Sequence, residues 1–347
     1  MSKALKNKVK LNQIISSTDG TSGVDNVGLG AGALAVLSSG SANTVIGSGA
    51  GAGITTSYGN TALGIGALAA PTQSGDQNTA LGRYTLQAST TGYENVAVGT
   101  SALGASTTAN INVAMGRKAG LRITTGHENT CVGTNAMGDE AMPGVSTGDG
   151  NAAFGRNTLK ANTTGTSNTA IGRSALASNT TGNQNVAVGQ SALVYNVGGV
   201  DNVAVGANSL SAVAGVGLAN VAVGTAALLV ATGDRNTAVG NGALLTTTTG
   251  TNVIGIGDGV QATAATTSNE ITLGNNSISN FRIPGIGFSA ISGTITFGGI
   301  KILVGTGTPE GVQTAPVGSL FLRTNGGAAT TLYIKETGVG NTGWIGK

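Results

Sequence analysis

The chain has 347 residues, 60 of them glycine, with 39% apolar, 9% charged and 3% aromatic residues and a net charge of +3. Five prolines and no glycine at every third position exclude a collagen triple helix, the patterned apolar content excludes a disordered chain, and the small net charge points away from general nucleic-acid binding. The charged fraction is far below the roughly one quarter of an ordinary globular domain, which suits a chain built by repetition.

Residues 1–24 carry Lys3, Lys6, Lys8 and Lys10 among small apolar residues but no apolar run of a secretory signal. Two readings stand side by side: a docking segment for an acidic partner, or a solvated terminus. No stretch of the chain reaches the roughly 18 apolar residues that span a bilayer, so membrane insertion is not expected.

From residue 25 to 275 one asparagine recurs at nearly constant spacing, at Asn26, Asn43, Asn60, Asn78, Asn95, Asn112, Asn129, Asn151, Asn168, Asn185, Asn202, Asn220, Asn236, Asn252 and Asn269. Most steps are 17 residues, and one, from Asn129 to Asn151, is 22. Such a period means one small unit stacked many times. The expected fold is therefore all-β: a repetitive parallel β-roll or β-solenoid of about 15 rungs. At about 4.8 Å per rung the stack would be about 70 Å long.

Each rung reads Asn, Thr or Val, Ala, an aliphatic residue and Gly, then an Ala-Leu pair and a Thr-rich return. Two or three short strands per rung are expected. Successive strand residues point to opposite faces, so the aliphatic column (Leu63, Val98, Ile171, Val188 and their equivalents) and the alanine column lie on opposite sides. A strand apolar on both sides is buried on both sides. The sequence is read with the aliphatic face inside the coil. The alanines Ala80, Ala97, Ala114, Ala170, Ala187, Ala204 and Ala222 then face another copy around a symmetry axis, giving a homotrimer. A monomeric solenoid with a thicker core is the alternative. The glycine four after each asparagine marks a bend of positive φ or a close backbone approach, and the asparagines form a side-chain ladder or an Asx-type turn.

Four rungs place arginine five after the asparagine: Arg83, Arg117, Arg156 and Arg173. Stacking makes them one outward column, which is weighed as a site for an anionic surface polymer against the favoured reading of a solvated face that keeps the rod soluble. His127 precedes Asn129 in a turn, where an isolated histidine is a surface residue. Cys131 stands in the alanine column as a small buried hydrophobe and not a nucleophile. The enlarged step, Met137 to Gly150, holds Asp139, Glu140 and Asp149. A carboxylate pair for glycoside cleavage is weighed there against an exposed acidic loop. Acidic residues do not recur in each turn, so no calcium ladder is expected. No catalytic residue, metal ligand or cofactor site is assigned.

Residues 276–347 break the period and hold six of the eleven aromatics. Alternating runs at Thr294–Phe297, Leu320–Arg323 and Thr331–Lys335 read as antiparallel strands of a small β tip that caps the rod and nucleates trimerisation. Tyr333 and Trp344 are candidate receptor contacts, weighed against a role in the tip's core.

Asn168–Gly172 (Asn-Thr-Ala-Ile-Gly) and Asn95–Gly99, Asn185–Gly189 and Asn202–Gly206 (Asn-Val-Ala-Val-Gly) resemble the head repeats of trimeric autotransporter adhesins, which are trimeric parallel β-rolls. The longer rung, with its Ala-Leu half and Thr-Thr-Gly return, is more similar to repeats of bacteriophage tail fibres and virion appendages. Ser268–Asn275 resembles a segment that closes such repeats, and residues 308–347 resemble a small module of phage tail proteins. The resemblance implies a virion fibre, exposed on the particle, that attaches to a host surface glycan or protein and joins tail or baseplate proteins through residues 1–24. A bacterial adhesin, an ice-binding solenoid and a polysaccharide-degrading tailspike are the alternatives.

Overall fold

The computed structural model describes residues 23–138, 145–212, 217–277, 294–297, 300–325, 332–338 and 340–346. The N-terminal lysines, Asp139, Glu140, Phe281 and Phe288 lie outside them. The chain divides into two units, residues 1–279 and 280–347. Among the described residues no helix is formed, hence none long and apolar enough to cross a membrane.

The first unit is a parallel β-solenoid. Fifteen strands, β1 (Val27–Leu29) to β15 (Ile271–Leu273), form one sheet in strict sequence order. Every neighbouring pair is parallel and in register, as in Val186↔Val203, Ala187↔Ala204 and Val188↔Val205. Each rung contributes one strand of three residues to this sheet and not two or three. The remainder is turns, stacked by backbone hydrogen bonds such as Leu176 N–H to Ala192 O at 3.0 Å and Thr163 N–H to Thr180 O at 3.0 Å. Across the 22-residue step β7 (Thr130–Val132) and β8 (Ala152–Phe154) stay paired in the same register.

The asparagine column is a buried ladder. Asn185 donates its backbone N–H to Asn168 Oδ1 at 3.1 Å, its Nδ2 to the same oxygen at 3.0 Å, and its Nδ2 to Gly199 O at 2.8 Å. The pattern repeats from Asn26 to Asn236. Burying an amide is tolerable only when its donors and acceptors are met, and here each rung meets those of its neighbour. Asn252 and Asn269 do not belong to the column. Val253 takes the buried place before β14 (Ile254–Ile256) and donates its backbone N–H to Asn236 Oδ1, and Glu270 precedes β15. Asn252 and Asn269 stand one residue earlier, exposed, at φ 55° and 58°. That position takes positive φ in other rungs too, as at Glu94 and Gln184, and asparagine suits it for its tolerance of the left-handed region. The shorter spacing to Asn252 was thus a change of column.

The two faces of the strands are the reverse of the sequence expectation. Ala80, Ala97, Ala114, Ala170, Ala187, Ala204 and Ala222 are fully buried inside the single chain. They cannot form a surface between copies. The aliphatic column points outward: Leu63 is 50% exposed, Met115 46% and Ile171 42%. The reason is volume. The leucine of each Ala-Leu pair is also fully buried, as at Leu176, Leu193 and Leu244, and it occupies the space behind the strand. A Cβ on Gly255 would lie 2.6 Å from Leu244 Cγ, so the strand's central position has room for a methyl group at most. The exceptions compensate. Where Gly51 replaces the leucine, Val45 replaces the alanine, and Ile54 is buried nearby. Such exchanges conserve interior volume.

The corner glycines meet both requirements set by the sequence. Gly172 has φ 118°, and a Cβ there would lie 2.7 Å from the Gly189 carbonyl carbon of the next rung. At the last rung the interior positions turn polar. Glu270 accepts hydrogen bonds from Thr263 Oγ1 at 2.7 Å and Thr272 Oγ1 at 2.8 Å, and from Thr263 N–H at 3.1 Å. Among the described residues no further rung follows β15, and a polar end suits a terminal rung.

The second unit is a five-stranded sheet in the order β16 (Thr294–Phe297), β17 (Ile300–Gly305), β18 (Leu320–Arg323), β19 (Leu332–Lys335), β20 (Trp344–Gly346). It is mixed, not wholly antiparallel, because β17 and β18 run parallel. Its described core holds Leu303, Ala315, Phe321, Tyr333 and Trp344.

Candidate functional surfaces

Each strand from β1 to β14 buries its central residue and presents the two flanking ones, one of them Thr, Val, Ile or Ala and the other aliphatic or aromatic, while in β15 the central Thr272 is half-buried. The result is a flat, mostly apolar strip along the whole sheet. At about 70 Å by 10 Å it covers about 700 Å², close to the roughly 800 Å² that each partner contributes to a stable interface. Isolated exposed aliphatics are ordinary, whereas a continuous strip of this size exceeds what most monomers expose.

The strip has two margins of opposite charge. The trailing margin follows the corner glycine. Arg83 stands there after β4 (Thr79–Leu81), Arg117 after β6 (Val113–Met115), Arg156 after β8, and Arg173 after β9 (Thr169–Ile171); all four are exposed. Thr100 and Thr134 occupy the rungs between, so the arginines stand two rungs apart except for Arg156 and Arg173, which are adjacent. Arg83 packs its guanidinium 4.4 Å from the Tyr84 ring centroid and donates to Tyr84 Oη at 3.2 Å. The four arginines thus share one position of the rung, in a column interrupted by Thr100 and Thr134.

The leading margin precedes the strands and is acidic over the same rungs. Asp76 stands before β4, Glu94 before β5 (Val96–Val98), Glu128 before β7 and Asp149 before β8. Its side chains also cap the preceding rung. Asp76 Oδ1 accepts Tyr58 N–H at 2.9 Å, Asp149 Oδ1 accepts His127 N–H at 2.7 Å, and His127 Nδ1 accepts Asn110 N–H at 3.0 Å. His127 thus has a structural part in this capping column. A recess of about 350 Å³ opens on this margin, lined by Tyr93, Asn110, Ile111, His127, Glu128 and Asp149.

Tyr333 and Trp344 are not displayed. They are 8% and 7% exposed and pack edge-on against Phe321, with ring centroids 6.1 and 6.2 Å from it. The Trp344 indole N–H donates to Gln313 O at 2.9 Å, and the buried Lys335 places Nζ 5.7 Å from the Trp344 ring centroid. These aromatics are core, as alternation on short strands dictates, and are corrected here from receptor contacts. Glu310 clamps the last strand by accepting Trp344 N–H at 2.8 Å and Gly343 N–H at 3.0 Å, which together hold its carboxyl below the usual range.

Cys131 is fully buried in the alanine column, and burial pushes its thiol up to about 12. Among the described residues no group of His, Cys, Asp and Glu is arranged to hold a metal ion. Sequence reasoning missed the acidic leading margin and a second short ladder. In the latter, Asn179 Nδ2 donates to Asn162 Oδ1 at 2.9 Å and Asn196 Nδ2 to Asn179 Oδ1 at 3.0 Å. The signal for the ladder was present, as the 17-residue spacing of Asn162, Asn179 and Asn196.

No family model matches the chain, and no curated protein does.

Proposed function

We propose that this chain is a structural, non-catalytic fibre protein of a phage virion, trimeric, holding an attachment surface away from the particle and contacting a host cell-surface glycan or protein. The observation that carries the reading is the uninterrupted fifteen-strand parallel ladder with one constant register. A stack in which a buried asparagine ties each rung from Asn26 to Asn236 to the next resists bending and sets distance. The outward apolar strip supports assembly, since a single rod would leave it in water. It replaces the alanine column as the face between copies. Residues 1–24 are proposed to dock on tail or baseplate proteins, and the exposed turns to meet the host.

The test has two parts. Gold-labelled antibody against residues 25–275 should decorate the tail or appendages of virions. Purified protein should bind host cells and block adsorption of those virions in proportion to its concentration. Undecorated virions together with unimpaired adsorption would overturn the proposal.

A further inference from the structure

We infer that the rod assembles cyclically by seating the basic trailing margin of one chain against the acidic leading margin of the next, with Arg117 entering the recess lined by Tyr93, Glu128 and Asp149 of the neighbouring chain. This inference rests on the trimer reading above and specifies its contacts.

In an assembly whose axis runs along the rod, all strands circulate the same way around that axis. The end of each strand then meets the beginning of its neighbour's, in a heterologous, ring-closing contact. Rotation about the rod axis leaves each rung at its own height. Arg83 therefore meets the level of Asp76, and Arg156 the level of Asp149, because each pair flanks one strand: β4 and β8 respectively. Arg117, after β6, arrives one rung from Glu128, before β7, and Arg173, after β9, one rung from Asp149. One rung is about 4.8 Å, within the reach of an arginine side chain. Within one chain the same groups cannot meet. Arg117 and Glu128 stand on opposite margins, six positions apart across the sheet, which is about 20 Å of extended backbone.

The recess suits this occupant. A guanidinium is planar, stacks on aromatic faces and pairs with carboxylates, and the lining offers Tyr93 beside Glu128 and Asp149. Packing dimensions accord with three chains. A face running from Asn168 to Gly172 is about 13 Å wide, and three such faces enclose an axis about 4 Å from each, close to half the roughly 10 Å spacing of packed sheets. The column weighed from sequence between an anionic surface polymer and a solvated face is thereby given to the neighbouring chain.

The full-length chain is tested in a Cys131→Ala background. Light scattering of the unmodified protein should give about three times 33.5 kDa. Arg117→Cys with Glu128→Cys should yield a covalent trimer on oxidation, and neither single variant should cross-link. Arg117→Glu should raise the trimer dissociation constant at least tenfold at low salt, and adding Glu128→Arg should restore it, which separates a lost contact from a lost fold. A monomeric or dimeric wild type would overturn the trimer reading itself. A trimeric wild type with no cross-link in the double variant and no effect of Arg117→Glu would overturn the margin contact alone. Cross-linking of the Arg117→Cys single variant with itself would overturn it too, since only a two-fold contact brings equal residues together.

Discussion

The amide oxygen of Asn168 accepts two hydrogen bonds from Asn185, one from its backbone N–H at 3.1 Å and one from its side-chain Nδ2 at 3.0 Å. The next rung repeats the pair between Asn185 and Asn202. One residue type thus terminates the strand's hydrogen bonding, joins adjacent rungs and anchors the return through Gly199 O. Replacing Asn185 by alanine orphans the buried Asn202 N–H and takes from the Gly199 carbonyl one of its two donors, the other being Asn196 Nδ2. A loss on the order of 3 kcal/mol is expected, read as a shift in the denaturation midpoint. A shift below a few tenths of a kcal/mol would mean the ladder does not hold the rungs.

The change of column near the end of the stack gives a paired comparison. Asn236→Ala removes the oxygen that receives the Val253 N–H and should destabilise strongly. Asn252→Ala touches an exposed position whose φ of 55° is also taken by Ala42 and Ala219, so about 1 kcal/mol or less is expected. Equal effects in thermal melts would place Asn252 back in the ladder.

The inside and outside of the strand respond differently to size. Ala187→Val adds two methyl groups against Leu193 and should cost about 1–3 kcal/mol by overpacking. Combining it with Leu193→Gly, after the pattern of Val45 with Gly51, should recover part of the loss. Val188→Thr lies on the outward strip, so it should leave the fold's cooperativity intact and weaken self-association instead. Sedimentation and melting curves of the same samples distinguish the two.

The Cys131 thiol, raised to about 12 by burial, stays protonated and covered at neutral and mildly alkaline pH. Thiol reagents should leave the native protein unmodified at pH 8 and label one group per chain once denaturant is added. Rapid labelling of the folded chain would contradict its place inside the coil.

Glu270 has its carboxyl lowered below the ordinary 4.5, first by the Thr263 hydroxyl and next by the Thr272 hydroxyl. A lowered folded value contributes stability that is present above the unfolded value and is lost as pH falls through the folded one. The difference in melting temperature between wild type and Glu270→Gln should therefore be constant above about pH 5 and shrink below 4.5. A difference that grows on acidification would reverse the assignment.

The period, the strand and the corner were legible because each depends on local chemistry repeated in register. Asn168 and Gly172 recur as a pair, and a buried amide ladder and a positive-φ corner are what those two residues do best. Alternation across Thr169–Ile171 separated the alanine from its neighbours correctly. It was silent on which side was inside. The acidic leading margin was equally hidden, because Asp76, Glu94, Glu128 and Asp149 share no single offset from the asparagine and become one surface only when the rungs stack.

The sequence by itself determined that this chain is a stack of like rungs joined through asparagine, since a constant spacing admits no other arrangement of equal environments. Tertiary structure decided which face the strand turns inward. Leu193 at φ 52° and its equivalents fold into the coil from the opposite wall, and the space they leave holds a methyl group. That volume is set by the turn conformation across the coil, which no periodicity along the chain reveals, and it is what sends the alanines inside and the branched side chains out.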